Sequence, residues 1–322
     1  MFKIKSNIIY LFILILNIHS SFANPLVENE WLKDKVCTEG FKILEVHRSK
    51  KEYELSHIPC SVFTNFYSSG WRETRNKVPL LIPKIKNLEK LIGSLGITNS
   101  DYVIIVAPGT GKYDAAETAA IYFTFKYVGH EKVSILNGGL KSWKEDWDSE
   151  TETGFVLPQE KPYKAEKINQ NIIANKEDVL DIINKKGYLI DARPSDMFIG
   201  INTSFPALRT GTIPDAINLP NSWLLKNNTL YFQDKENIIK IIKHSGISKK
   251  GDQISFCNAG LESALSWFVI SEILEHPNHR LYESSLAEWS GNFSLPMIDK
   301  INFIKNKDKA KEVNSFSMKP PK

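Results

Sequence analysis

The chain has 322 residues, 42% of them hydrophobic and 24% charged, a globular composition rather than a disordered one. Its formal net charge is only +4 and the lysines are spread rather than striped, so nucleic-acid binding gains no support. Three cysteines are too few for a disulfide framework.

In chain order, Lys3 and Lys5 precede an apolar run from Ile8 to Ile18, and Ser21-Phe22-Ala23 places small residues at a cleavage point before Asn24. This predicts a secretory signal peptide over 1–23, since the run is short of the roughly 20 apolar residues that a spanning helix needs. No stable membrane anchor is expected, and the location is periplasmic or secreted. Cys37 and Cys60 can pair in such an oxidising compartment, which leaves Cys257 as the free thiol.

Short apolar strands at Ile43–Val46, Tyr102–Val106 and Val133–Leu136, then at Tyr188–Ile190 and Ile254–Phe256, alternate with helical patterns. Alternation of this kind predicts an α/β fold, a mainly parallel sheet flanked by helices, in each half. Between the halves, Asp148 to Lys167 is charged, proline-containing and poor in periodic apolar residues. The division expected is 24–147 for a first domain, 148–168 for a linker, 169–298 for a second domain and 299–322 for a mobile basic tail.

The two halves are copies of one unit. Gly96 to Ala107 and Gly246 to Cys257 have equal spacing, so Ala107 holds the cysteine's place in the first copy. His57-Ile58-Pro59 answers Thr212-Ile213-Pro214, and the Asn137–Trp143 segment answers Glu283–Trp289.

The stretch Gln253–Ser271 carries the chemistry. An apolar strand stops at Cys257, a turn Asn258-Ala259-Gly260 follows, and Leu261, Ala264, Leu265, Phe268 and Val269 recur as the buried stripe of an amphipathic helix. Cys257 therefore sits at a strand-to-helix turn, where free helix amides favour thiolate over thiol and form a nest for a charged sulfur group. A cysteine-dependent phosphatase needs an arginine where this chain has Ser263. Gly109-Thr110-Gly111-Lys112 faintly resembles a phosphate loop, but its glycine spacing is wrong and Tyr113 replaces the magnesium-holding hydroxyl. The histidines show no metal-ligand spacing, and His276 and His279 read as flanks of a surface turn.

Asp191-Ala192-Arg193, Gly211–Pro220, Cys257-Asn258-Ala259-Gly260 and Leu281–Trp289 together resemble a catalytic rhodanese domain. The first half resembles the inactive partner domain, so the chain is similar to tandem sulfurtransferases of the thiosulfate and 3-mercaptopyruvate type. The resemblance implies no cofactor and no metal. Sulfane sulfur would pass through a Cys257 persulfide from a small-molecule donor to cyanide or a thiol, a protein acceptor included. Donor-binding groups would come from Asn258, Ala259, Gly260, Leu261, Glu262 and Ser263, with Arg209 as the remaining candidate for anion binding and Arg193 as either a second anion partner or a structural one.

Three departures qualify the expectation. Met197 stands where the family commonly carries a donor-gripping arginine, Thr212 replaces a histidine, and Glu262 brings a carboxylate into the loop. The plainer reading of Glu262 is a partner for the helix macrodipole. The alternative to an enzyme is a low-turnover sulfur carrier or binding protein.

Overall fold

The computed structural model describes residues 23–301 except Lys112, Asn228 and Lys249. The signal peptide expected over 1–23 and the tail expected over 299–322 therefore lie almost wholly outside the described residues.

The first half contributes β1 (Leu26–Val27), β2 (Phe41–Val46), β3 (Val62–Thr64), β4 (Glu73–Arg75), β5 (Val78–Leu81), β6 (Tyr102–Val106) and β7 (Val133–Leu136). The second contributes β8 (Ile173–Ala174), β9 (Tyr188–Asp191), β10 (Ile217–Asn218), β11 (Gln253–Phe256) and β12 (His279–Tyr282). Two parallel sheets result, in the orders β1-β7-β6-β2-β3 and β10-β9-β11-β12-β8, while β4 and β5 pair as an antiparallel hairpin. The central strands read YVIIV and QISF and are buried almost throughout, as parallel strands covered on both faces must be.

Register confirms the repeat. Glu45 pairs with Val106 in the first sheet and Asp191 with Phe256 in the second, so Ala107 and Cys257 leave equivalent strand ends.

The covering helices are α1 (Asn29–Lys33), α2 (Lys50–Leu55), α3 (Ile85–Ser94), α4 (Asp114–Tyr127) and α5 (Gly139–Glu145), then α6 (Lys176–Asn184), α7 (Ser195–Ile199), α8 (Lys235–His244), α9 (Leu261–Trp267) and α10 (Ser285–Trp289). Helix α9 runs on into a π-helical turn at Phe268–Ile273.

The stripe expected on α9 is too narrow. Ser263, Ser266, Trp267 and Ile270 are buried along with the apolar stripe, because α9 lies between its own sheet and α4 of the other half. Phe123 meets Trp267 edge-on at 4.7 Å and Tyr122 meets Phe268 at 4.8 Å. Tyr122 also donates its hydroxyl to Glu272 at 2.6 Å. A pseudo-twofold relation appears beside this pair: Ile82 N–H donates to Glu283 Oε2 and Phe232 N–H to Asn137 Oδ1, each at 3.0 Å.

Two loop segments make contacts that the sequence pattern does not reveal. The 148–168 stretch is fastened to the first half: Glu152 and His57 exchange backbone hydrogen bonds, Lys161 N–H donates to Gly93 O, and Tyr163 is buried. The Pro277-Asn278 turn is exposed as expected, but the histidines on either side of it turn inward and are buried. His279 is 2.7 Å from Ser255 Oγ, and burial pushes its pKa down to about 3, so it serves as a neutral core residue. Cys37 and Cys60 form a disulfide, with 5.3 Å between Cα atoms.

Candidate active site

Cys257 lies just beyond the carboxyl edge of the second sheet, where open α/β sheets place their ligands. The turn after it enters α9 through Gly260 at φ 77. Glycine is required there on two counts: the left-handed backbone strains any side chain, and a Cβ would lie 2.6 Å from the Glu283 carbonyl oxygen.

Helix α10 forms the second wall. Its N-terminal amides lack helical partners and are taken by loop carbonyls, Leu286 N–H by Cys257 O at 3.1 Å and Ala287 N–H by Asn258 O at 2.8 Å. With those carbonyls engaged outside the loop, the amides of Ala259 and Ser263 point at the sulfur, and Ser263 Oγ donates to Cys257 Sγ at 3.4 Å. Leu261 packs into the core.

Ser285, which no sequence pattern singles out, locks this turn. Its Oγ accepts from Cys257 N–H at 3.0 Å and Gly260 N–H at 3.2 Å, and donates to Tyr282 O at 2.8 Å. It does so at φ 48, where its repeat counterpart is Gly139 at φ 63. Such a conformation costs a non-glycine residue about 1–3 kcal/mol, and the three hydrogen bonds offset it. The one sequence clue to it is a serine standing where the first copy keeps a glycine, which does not by itself reveal the hydrogen bonds.

The expected thiolate is not the resting state. Cys257 is wholly buried, and burial first and Glu262 second push its thiol up to about 11, against the lowering effect of the Ser263 and Ala259 hydrogen bonds. Burial of an ionisable group can shift its pKa by up to about 3–5 units, whereas a helix terminus is worth about 0.3–1 kcal/mol, so desolvation wins. Glu262, in the first turn of α9, thus acts on the Cys257 thiol as well as on the helix.

Both candidate arginines engage groups elsewhere, although Arg193 Nη1 is buried with no hydrogen-bond partner. Arg193, fully buried, forks onto Asp191 at 2.9 and 2.5 Å and also reaches Gly211 O at 2.7 Å. Thr212 Oγ1 donates to the same Asp191 carboxylate at 2.7 Å. Arg209 gives its N–H groups to the carbonyls of Trp289, Ser290, Asn292 and Leu295, closing the C-terminal end of α10 as a cation should. Met197, by contrast, does border the loop, its sulfur 3.8 Å from Asn258 Nδ2 and from Ser204 Oγ.

The equivalent loop of the first half is already filled. Gly109, Thr110 and Gly111 direct their amides at Asp114 Oδ2, at 3.0, 2.9 and 2.8 Å. A side-chain carboxylate from the same chain occupies a nest of the kind that surrounds the sulfur in the second half. Among the described residues, no three or more His, Cys, Asp or Glu side chains gather as metal ligands.

A family model described as rhodanese-like domain matches residues 28–146 and 175–292. The chain belongs to the rhodanese family. It carries two such domains in tandem, with the free cysteine in the second rhodanese domain. A Saccharopolyspora erythraea protein named "Putative thiosulfate sulfurtransferase" is 31% identical over 285 residues, covering 84% of this chain and 95% of the relative. The sulfur carrier protein TtuD of Thermus thermophilus is 29% identical over 293 residues, covering 86% and 98%. Among solved structures, the Escherichia coli protein SseA, described with the 3-mercaptopyruvate sulfotransferases, superposes with a TM-score of 0.69 at 24% identity, covering 82% of this chain and 99% of that one. Membership of the sulfurtransferase family follows from the sequence relatives, and the SseA likeness adds the tandem fold.

Proposed function

We propose that this rhodanese protein is a sulfurtransferase that carries a sulfane sulfur as a Cys257 persulfide. The observation that carries this reading is the placing of one free cysteine in a closed cradle of amides and a serine hydroxyl beyond the sheet edge. The Cys257 thiol loses its proton to solvent, and the sulfur attacks the outer sulfur of thiosulfate or 3-mercaptopyruvate. A sulfur–sulfur bond forms to Cys257 as the donor's own bond to that sulfur breaks, releasing sulfite or, after proton uptake, pyruvate. Cyanide or a thiolate then attacks the terminal sulfur and leaves Cys257 as thiolate. The loop amides of Ala259 and Ser263 hold the negative charge that the terminal sulfur carries between the two steps.

A slower role as a sulfur carrier is the second reading. Its support is the resting thiol near 11 together with two arginines committed to structure. The name of the Thermus relative agrees with it. We also propose export to an oxidising compartment, supported by the Cys37–Cys60 disulfide and by the sequence before Asn24.

Intact-mass measurement before and after thiosulfate, and separately 3-mercaptopyruvate, tests the reading. A gain of one sulfur, removed by cyanide and absent in Cys257→Ser, is expected. A sulfur adduct persisting in Cys257→Ser would refute it.

A further inference from the structure

Cys257 has no solvent exposure, yet the proposed reaction brings a donor to its sulfur, so some covering element must move. On one side α9 is clamped to α4 by large buried rings, Trp267 on Phe123 and Phe268 on Tyr122. On another, the segment Gly200–Pro206 after α7 comes down on Asn258, the residue next to the nucleophile. A hydrogen bond from Asn258 Nδ2 to Ser204 Oγ at 3.0 Å joins them, with the Met197 sulfur 3.8 Å from both groups. Among the described residues the segment is otherwise tied only at its start, by Ile201 N–H to Asp196 O at 2.9 Å and Asn202 Nδ2 to Asp196 Oδ2 at 2.6 Å. With no large buried ring clamping it, this is the weaker cover.

The same contact holds a polar atom with no partner. Asn258 Oδ1 is buried and unbonded, in a residue only 7% exposed, and the segment itself carries another such atom, Thr203 Oγ1. Buried polar atoms of that kind are costly unless something pairs with them in another state. The far side of the segment is open, with Phe205 74% and Ile201 41% exposed, and it begins at Gly200 with φ 99. Arg193 is forked onto Asp191, and Arg209 onto the carbonyls that end α10.

We propose that Gly200–Pro206 is a strap that lifts to admit the donor, and that the Asn258 carboxamide, released from Ser204, orients the donor at Cys257. This rests on the sulfur-transfer reading. A carboxamide offers two N–H donors and a carbonyl acceptor, so it suits an oxygen-bearing sulfur donor held by hydrogen bonds rather than by a guanidinium fork. Nδ2 donates to an oxygen of the donor, and Oδ1 gains the partner that it lacks in the closed state. Ser204 is a positioning residue that sets how often the strap opens.

The experiment is alkylation of Cys257 by iodoacetamide, followed by intact mass, alongside steady-state kinetics with thiosulfate. With Cys37 and Cys60 bonded, Cys257 is the thiol that reacts. Ser204→Ala is expected to speed alkylation about fivefold, the worth of one neutral hydrogen bond, and Ser204→Thr to restore the slow rate. Asn258→Ala is expected to raise the KM for thiosulfate about tenfold with kcat within about twofold. An unchanged alkylation rate in Ser204→Ala overturns the strap, and an unchanged KM in Asn258→Ala overturns the orienting role. Alkylation reads the strap without any turnover, so faster alkylation in a protein that takes no sulfur from thiosulfate would uphold the strap and fail the functional reading.

Discussion

At Cys257 the helix N-terminus and Ser263 favour negative charge on the sulfur, while burial and the Glu262 carboxylate oppose it. The opposing pair prevails, and the thiol stands near 11. Its thiolate fraction therefore grows about tenfold per pH unit through the range from pH 8 to 10. The alkylation rate of the wild type should climb through that range without levelling. Glu262→Gln removes a raising influence, so it should lower the thiol pKa and speed alkylation at pH 8. A wild-type plateau near pH 8.5, or a slower Glu262→Gln variant, would count against this account. The candidate nucleophile was legible because its turn is local, a strand end, three small or polar residues and a helix start. Ser285 was not, since its hydroxyl meets the loop across a sequence gap that only folding closes.

Among the elements, the turn into α9 depends on Gly260 more than its conformation alone requires. Gly246 provides the internal comparison: it has φ 81 but nothing within 4 Å of where a Cβ would stand, whereas at Gly260, with φ 77, a Cβ would face the Glu283 carbonyl at 2.6 Å. Gly246→Ala should cost about 1 kcal/mol of unfolding free energy, and Gly260→Ala distinctly more, about 2–4 kcal/mol, because backbone must shift as well. Urea unfolding of the two variants checks this, and equal losses would show that the close approach carries no weight. Strands were read well from sequence: Tyr102–Val106 and Val133–Leu136 match β6 and β7 end to end. The apolar periodicity of α9 was legible too, but not its second buried face, which exists only because α4 arrives from the other domain.

For the whole molecule, the decisive contact is α4 against α9, the two helices that follow the equivalent loops. Phe123 is fully buried against Trp267, and one hydrophobic core runs through both domains. Phe123→Ala should cost about 3–5 kcal/mol, and calorimetry should show one unfolding transition moving down rather than two separating. A variant whose second domain melts unchanged would show that the domains fold independently. The first domain thus backs the helix that follows Cys257, while its own loop is filled by Asp114.

The sequence by itself determined the α/β class, the tandem repeat and Cys257 as the candidate nucleophile, because strand alternation, turn glycines and spacing are local patterns that survive without knowledge of neighbours. Tertiary structure alone decided the electrostatics and the partners. Arg209 looked free to grip an anion until folding set it against the end of α10, while for Arg193 folding decided in favour of the structural alternative, a fork onto Asp191. His276 and His279 looked exposed until the sheet and helices enclosed them. Burial is a property of the packed molecule, and it is burial, more than residue type, that sets a charge's cost and so the resting state of the sulfur.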